Sequence, residues 1–284
     1  MLSSCRGDTS TAVDSLPKVI FVGLDGADWQ HLDALMAEGA MPNLAALVAE
    51  GRRGVLTTIQ PPLSPLVWTT MMTGVSPLEH RILDFTRFHP KTGAREPIAS
   101  SERRAPAIWN MASAAGRSVA VFGLWATWPA EEVRGVMVSD RLFSFHAPTE
   151  ASGAEIDALV FPPDRLAADR AALAELERTT TPSTIASLMV GSAAETEEVA
   201  RALERDPLLE GLLRILVETA WLDQIARREI ERSKPELSIV YFEGTDAVGH
   251  LFAPYVDPPL AGVSERDARR FGQVPRHYFE RIDE

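Results

Sequence analysis

Residues 18–24 read Lys-Val-Ile-Phe-Val-Gly-Leu, and residues 25–28 continue as Asp-Gly-Ala-Asp. The unbroken run of apolar, largely β-branched side chains predicts a strand that is buried on both faces of a parallel sheet. Open α/β sheets bind ligands beyond the carboxyl ends of their strands, so Asp25 is a candidate ligand-binding residue. Asp28 is better explained as the N-cap of a helix over residues 29–38.

Two later stretches repeat the pattern of a buried strand. Residues 118–124 and 237–242 are short apolar runs, and helices are predicted between the strands, among them residues 42–50 and 105–115. Residues 54–60 contain several β-branched side chains and predict a further strand. The alternation of strands and helices predicts an α/β fold with a doubly wound, mostly parallel sheet flanked by helices.

The middle of the chain has a different composition. Residues 147–235 are rich in alanine, glutamate and arginine and contain no convincing strand, which predicts a mostly helical insertion or cap. The apolar stripe within residues 207–233 is typical of core packing. We therefore expect an α/β catalytic core formed by residues 18–146 and 236–284, ending in one long helix.

The charge balance limits the kinds of partner. The 284 residues include 28 basic and 40 acidic side chains, a net charge of −12. This balance argues against a nucleic-acid-binding surface, because such surfaces neutralise phosphates with lysine and arginine. No run of about 18 apolar residues is present, so no transmembrane segment is expected.

Cys5 is the only cysteine of the chain, which excludes an internal disulfide framework and a thiolate zinc site. The preceding Leu2-Ser3-Ser4 resembles the lipobox of bacterial lipoproteins, although no apolar segment stands before it. The pattern favours equally a lipid anchor at Cys5, with residues 1–17 as a tether, and a disordered tail. The corresponding compartments are the periplasm, as a membrane-anchored lipoprotein, or the cytoplasm.

Ser64 stands in a loop that then becomes a helix. Pro61 and Pro62 oppose a helix before it, whereas Pro65 suits a first helical position. Ser64 is therefore predicted to be an N-cap, whose oxygen accepts a hydrogen bond from a free backbone N–H. A helix N-terminus also stabilises negative charge, so the same hydroxyl is a candidate nucleophile or phosphate-binding group.

Asp246 and His250 follow the predicted strand over residues 237–242 and are separated by four positions. A carboxylate and an imidazole at this spacing, with Gly249 allowing a tight backbone, are able to bind one zinc ion. The alternative is an Asx turn with an incidental histidine. His80, alone in a turn, is interpreted as a structural, hydrogen-bonded histidine.

The ordered motifs Asp25-Gly26, Ser64 to Thr73-Gly74, and Asp246-Ala247-Val248-Gly249-His250 resemble the alkaline phosphatase superfamily. The resemblance is to its branch of type I phosphodiesterases and nucleotide pyrophosphatases. It implies a phosphoric ester hydrolase with two divalent metal ions, most simply Zn²⁺, a small-molecule phosphate ester as substrate, and a phosphoserine intermediate. By this resemblance Asp25 and Ser64 bind one metal, Ser64 being the nucleophile, and Asp246 and His250 bind the other.

Two departures from the family pattern affect these expectations. Val67 occupies the position of an asparagine that holds a phosphate oxygen in the nucleotide pyrophosphatases, so nucleotide diesters are not a secure substrate. The closing Asp-His-Gly block of the family, which completes both metal sites, is missing up to Glu284. We therefore expect the amino-terminal part of a longer protein, with weak metal binding and little or no turnover by itself.

Three alternatives to a hydrolase remain from the sequence. A phosphomutase or a phosphoethanolamine-type transferase uses the same phosphoenzyme half-reaction with another acceptor. A binding module without catalysis, in which Ser64 is only a cap, is the third. A sulfatase is excluded because Pro65 follows Ser64 directly and no arginine lies nearby.

Overall fold

The computed structural model describes residues 18–144, 156–189, 193–203 and 205–284. The predicted tail or tether at residues 1–17, with Cys5, lies outside the described residues. The strands are β1 (Val19–Leu24), β2 (Thr86–Phe88), β3 (Arg95–Pro97), β4 (Val119–Phe122), β5 (Gly135–Val138), β6 (Val160–Phe161) and β7 (Leu237–Phe242). The α-helices are α1 (Trp29–Ala37), α2 (Pro42–Glu50), α3 (Ser64–Thr73), α4 (Pro77–His80), α5 (Ile108–Ala114), α6 (Arg141–Ser144), α7 (Leu166–Thr179), α8 (Pro182–Ser187), α9 (Ala193–Ala202), α10 (Pro207–Ser233), α11 (Gly244–Phe252), α12 (Glu265–Phe271) and α13 (Val274–Asp283).

The main sheet has five strands in the order β1-β7-β4-β5-β6. The first three neighbouring pairs in this order are parallel, and only β6 runs antiparallel to its neighbour. Strands β2 and β3 form a separate antiparallel hairpin. The predicted α/β fold with a mostly parallel sheet is confirmed.

Helices cover both faces of this sheet, because successive side chains of a strand point to opposite faces. On one face, Trp221 and Ile225 of α10 pack in a buried cluster with Phe122 of β4. On the other face, Met72 of α3 and Trp109 of α5 share a cluster with other side chains of β4 and β7. Helices α3 and α11 both begin at the carboxyl edge of the sheet. The first residue of α3 contacts the residue after β1, and α11 starts two residues after β7.

Strand β1 differs from its prediction in one respect. Its existence and its bounds are confirmed, but burial on both faces is wrong. Val19, Ile20 and Val22 are each more than half exposed. The reason is that β1 lies at the edge of the sheet and pairs, among the described strands, only with β7. An apolar run alone does not distinguish an edge strand from a central one.

Several local predictions need correction. Residues 54–60 form no strand, since β-branched residues adopt a ladder only where a partner strand is available. Strand β6 lies within the segment predicted to be helical, and it was missed because it is only two residues long. The helix predicted from residue 105 begins at Ile108. The single final helix is instead two helices, α12 and α13, since Pro275 stands in the first turn of the second.

The long helix α10 lies within the predicted insertion at residues 147–235. Its buried side chains include Leu209, Leu212 and Leu216 of the predicted apolar stripe, which pack in a core cluster as expected. The division into a core and an insertion stays a prediction. Among the described residues, no helix is sufficiently long and apolar to cross a membrane.

Candidate active site

Asp25 and Ser64 are brought together at the carboxyl end of β1. Asp25 directly follows the strand and is only 7% exposed. Ser64 is the first residue of α3, and its Oγ donates a hydrogen bond of 2.9 Å to Asp25 Oδ2. The predicted capping role of Ser64 is wrong, because Leu63 is the N-cap and no side chain caps this helix. The hydroxyl is instead held by a carboxylate 39 positions away in sequence.

Asp25 has further contacts that the sequence did not predict. Trp68 donates a hydrogen bond of 2.9 Å from Nε1 to Asp25 Oδ1. Thr245 donates one of 2.6 Å from Oγ1 to the backbone oxygen of Asp25. A sequence signal for Trp68 does exist, since it lies four positions after Ser64 and therefore on the same side of a helix. The uncapped N-terminus of α3 also favours the negative charge of Asp25.

Asp246 and His250 lie on α11, which begins two residues after β7. The alternative of an Asx turn is wrong, because the segment that contains Gly249 is helical, and the four-residue spacing places both side chains on one face. His250 Nε2 lies 3.3 Å from Asp246 Oδ2. The His250 side chain is 79% exposed and that of Asp246 is 34% exposed, so both reach solvent.

Gly26 is the point at which the two pairs meet. It has φ = +64°, and a Cβ atom at this position would lie 2.6 Å from Asp246 Oδ1 and 3.1 Å from Asp246 Cα. The backbone next to Asp25 thus approaches Asp246 as closely as a glycine allows. The structure therefore assembles Asp25, Ser64, Asp246 and His250 at one edge of the sheet, as two adjacent pairs.

The electrostatics of this edge are dominated by negative charge. Burial, followed by the neighbouring Asp25 carboxylate, raises the pKa of Asp246. Glu243 is a residue that sequence reasoning missed, although it follows β7 as directly as Asp25 follows β1. Its side chain reaches solvent, but desolvation and then the carboxylates of Glu218 and Asp25 raise its pKa to about 7. The neighbouring carboxylates therefore disfavour the ionised forms of Asp246 and Glu243.

Two buried donors stand near the same edge. The hydroxyl of Tyr241 and the indole N–H of Trp125 are both buried, and the Tyr241 hydroxyl lies near both Asp25 and Trp125 without a hydrogen bond of full geometry to either. Tyr241 is 1% exposed, and burial together with the Asp25 carboxylate raises the pKa of its hydroxyl. Orphaned buried donors are uncommon in folded proteins and concentrate at functional places.

The donor types at this edge suit divalent cations. Among the described residues, no group of three or more His, Cys, Asp or Glu side chains is arranged to hold a metal ion. Two donors stand at each of two adjacent places instead, namely Asp25 with Ser64 and Asp246 with His250. Carboxylate, hydroxyl and imidazole groups are ligands of zinc, and a cation would relieve the repulsion between the two carboxylates. The residues are therefore suitable ligands for such ions. Two protein ligands are only part of a coordination shell, because zinc sites ordinarily use three or four.

His80 is a structural residue, as predicted. It is fully buried, its Nδ1 accepts a hydrogen bond of 3.1 Å from the backbone N–H of Ile82, and its Nε2 lies 2.8 Å from Thr70 Oγ1. This arrangement assigns the proton to Nε2, because Nδ1 already accepts. His277 also makes a local contact, since its Nδ1 lies 2.7 Å from Glu280 Oε2 on the same helix α13.

Comparison with known proteins gives a family for these motifs. Residues 19–274 match the model of the family described as type I phosphodiesterase / nucleotide pyrophosphatase. No curated protein matches the sequence significantly. Two solved structures of phosphonoacetate hydrolase from Sinorhizobium meliloti 1021 are similar: the complex with phosphonoacetate, at 20% identity and a TM-score of 0.45, and the complex with phosphonoformate, at 18% identity and a TM-score of 0.42. Each alignment covers 94% of this chain and 53% of the other, so the chain spans about half the length of these proteins.

Proposed function

Because the chain belongs to the type I phosphodiesterase / nucleotide pyrophosphatase family, we propose that it is a metal-dependent phosphoric ester hydrolase. In this proposal the reaction passes through a phosphoserine formed at Ser64. The observation that carries the proposal is the hydrogen bond between Ser64 Oγ and the buried carboxylate of Asp25. A serine whose only role is to cap its helix accepts a bond from a backbone N–H of that helix. It does not need a partner 39 positions away in sequence.

The charge of the site supports metal dependence. An anionic phosphate ester would be repelled by Asp25, Asp246 and Glu243 in a chain whose net charge is −12. Asp25 with Ser64, and Asp246 with His250, would each hold one cation, proposed to be Zn²⁺. When bound, such ions neutralise the carboxylates, polarise the phosphoryl group and favour deprotonation of oxygen nucleophiles.

The residues of the chain have the following roles in this proposal. Asp25 orients the Ser64 hydroxyl through the bond to Oδ2. Ser64 Oγ loses its proton and forms a bond to phosphorus while the bond from phosphorus to the ester oxygen breaks, and the ester oxygen leaves as an alcohol with the proton that Ser64 lost. Water then attacks the phosphoserine, and phosphate or its monoester leaves as the Ser64 hydroxyl is restored.

The proposed substrate is a small-molecule phosphate ester. The net charge of −12 and the carboxylates of the site, those of Asp25, Asp246 and Glu243, would repel a polyanionic nucleic acid. Val67 is apolar at the position where the sequence resemblance implies the asparagine of the nucleotide pyrophosphatases, which favours phosphate esters other than nucleotide diesters. Monoesters and diesters are both within the reach of a serine nucleophile.

The test is hydrolysis of p-nitrophenyl phosphate and bis-p-nitrophenyl phosphate by the metal-free chain, with and without added zinc. We expect slow zinc-dependent turnover that Ser64→Ala abolishes. Ser76→Ala is the matched control, because Ser76 is the N-cap of the neighbouring helix α4 and its hydroxyl donates to Glu79 of the same capping box. Hydrolysis that persists in Ser64→Ala, or falls equally in both variants, would exclude Ser64 as the nucleophile.

Zinc binding gives a second, independent readout. With two protein donors for each ion, we expect weaker binding than at a site with three ligands, and a further loss in Asp25→Asn and in Asp246→Asn. Titration calorimetry of the metal-free chain measures both. A chain that neither binds zinc nor hydrolyses either ester would contradict the proposed function and favour a binding module.

A further inference from the structure

One face of β1 accommodates the side chain of Trp68. Residues 21, 23 and 25 point to the same face, because alternate residues of a strand share a face. The Trp68 ring makes an edge-on contact with Phe21, with centroids 6.3 Å apart and planes at 89°. Its Nε1 reaches Asp25 Oδ1 at 2.9 Å. The indole therefore lies along the strand, from its apolar middle to its acidic end.

Gly23 provides the space for this arrangement. A Cβ atom at Gly23 would lie 2.9 Å from Trp68 Cη2 and 3.1 Å from Tyr241 Cδ2. Any larger side chain would push the indole away from the strand, and the backbone of Gly23 has no positive φ to explain a glycine otherwise. Tyr241 closes the other side of the ring at a centroid distance of 4.9 Å. The indole is thus fixed on several sides before its N–H meets Asp25.

We infer that Trp68 is a positioning residue for Asp25, an inference that rests on the proposed function. The indole has one N–H donor and no acceptor, so it makes a single hydrogen bond. That bond goes to Oδ1 of Asp25. Oδ2 is then presented to Ser64, which bonds it at 2.9 Å. Trp68 thereby sets the orientation of the carboxylate that would hold the first cation.

The expected size of the effect follows from outer-shell hydrogen bonds in general. Loss of such a partner typically weakens metal affinity by about 10- to 100-fold, because part of the binding free energy is then used to orient the ligand. Trp68→Phe removes the donor but keeps an aromatic ring on the strand. Gly23→Ala keeps the donor but displaces the ring. Both variants should weaken zinc binding about 10-fold or more.

Trp109→Phe is the matched control. Trp109 is also buried, packs against the same sheet face, and donates from Nε1 to a carboxylate, Glu131 Oε2, at 2.6 Å. Its replacement should lower the free energy of unfolding without changing zinc affinity. Titration calorimetry with Zn²⁺ on the metal-free chain and its variants measures the affinity, and circular dichroism verifies that each variant is folded.

The outcomes separate this inference from the function on which it rests. Weaker zinc binding in Trp68→Phe and Gly23→Ala, with Trp109→Phe unchanged, supports it. If Asp25→Asn weakens zinc binding whereas neither Trp68→Phe nor Gly23→Ala does, the positioning role is overturned and the proposed function stands. If Asp25→Asn itself has no effect, the assignment of Asp25 fails, and the inference fails with it.

Discussion

Replacement of Gly26 by alanine tests the contact that joins the two halves of the candidate site. The change has two separable costs. An alanine at φ = +64° occupies the left-handed region, which costs about 1–2 kcal/mol for a residue with a Cβ atom. The new Cβ would also lie 2.6 Å from Asp246 Oδ1, 3.0 Å from its Cβ and 3.1 Å from its Cα.

The second cost cannot be avoided by rotating one side chain. Asp246 Oδ1 is the mobile end of its side chain, but its Cβ and Cα belong to the frame of α11, so the helix or the turn after β1 must shift. Overpacking of this kind costs about 1–3 kcal/mol. The two costs together predict that Gly26→Ala lowers the free energy of unfolding by about 2–5 kcal/mol.

Gly74→Ala isolates the first cost. Gly74 ends α3 with φ = +70°, and a Cβ atom there would meet nothing within 4 Å. Urea unfolding followed by circular dichroism should therefore give a loss of only about 1–2 kcal/mol for this variant. Zinc affinity should fall in Gly26→Ala, because Asp246 is displaced, and remain unchanged in Gly74→Ala. Equal losses of stability in the two variants would refute the close approach of Gly26 to Asp246.

Three further outcomes are expected. Burial lowers the pKa of His80, so the stabilisation that comes from its neutral form should be fully present above about pH 6.5. It should be lost as the pH falls toward the lower pKa of the folded state. Urea unfolding across this pH range should show a smaller decline in His80→Gln. Tyr278→Phe removes a 2.6 Å bond to Thr219 Oγ1 and should cost about 1 kcal/mol in the same assay. Gly244→Ala places a Cβ atom 2.0 Å from the Tyr278 hydroxyl, so its cost should be smaller in the Tyr278→Phe background, and equal costs in both backgrounds would contradict this packing.

The sequence predicted best those features that depend on neighbours along the chain. Strand β7 was predicted with its observed bounds, because a run of six residues, all apolar or aromatic except Ser238, ends at a glutamate and a glycine. The N-cap at Asp28 was also predicted, and it accepts a hydrogen bond from the backbone N–H of His31. Both signals are local, so the sequence alone contains the information that decides them.

The features that the sequence could not predict depend on distant partners. Ser64 is the first residue of α3 and not its N-cap, and its hydroxyl donates to Asp25, 39 positions earlier. Residues 54–60 have a suitable composition for a strand but no partner to pair with. The segment from Gly244 to Phe252 contains two glycines, which disfavour a helix in isolation, yet packing against α10 and α13 makes it helical.

The two halves of the site are organised in different ways, and this difference bears on how each could bind a cation. Asp25 is buried and is held by Ser64 and Trp68 of α3 and by Thr245 of α11, so its orientation is determined before any ion arrives. The His250 side chain is 79% exposed and contacts Asp246 on the same helix. The affinity of the Asp25 half should therefore depend on packing, through Trp68, whereas that of the Asp246 half should depend on α11 and on the contact of Asp246 with Gly26. Gly26, which follows Asp25, lies against Asp246. A change in either half that moves the Gly26 backbone must therefore also alter the other half.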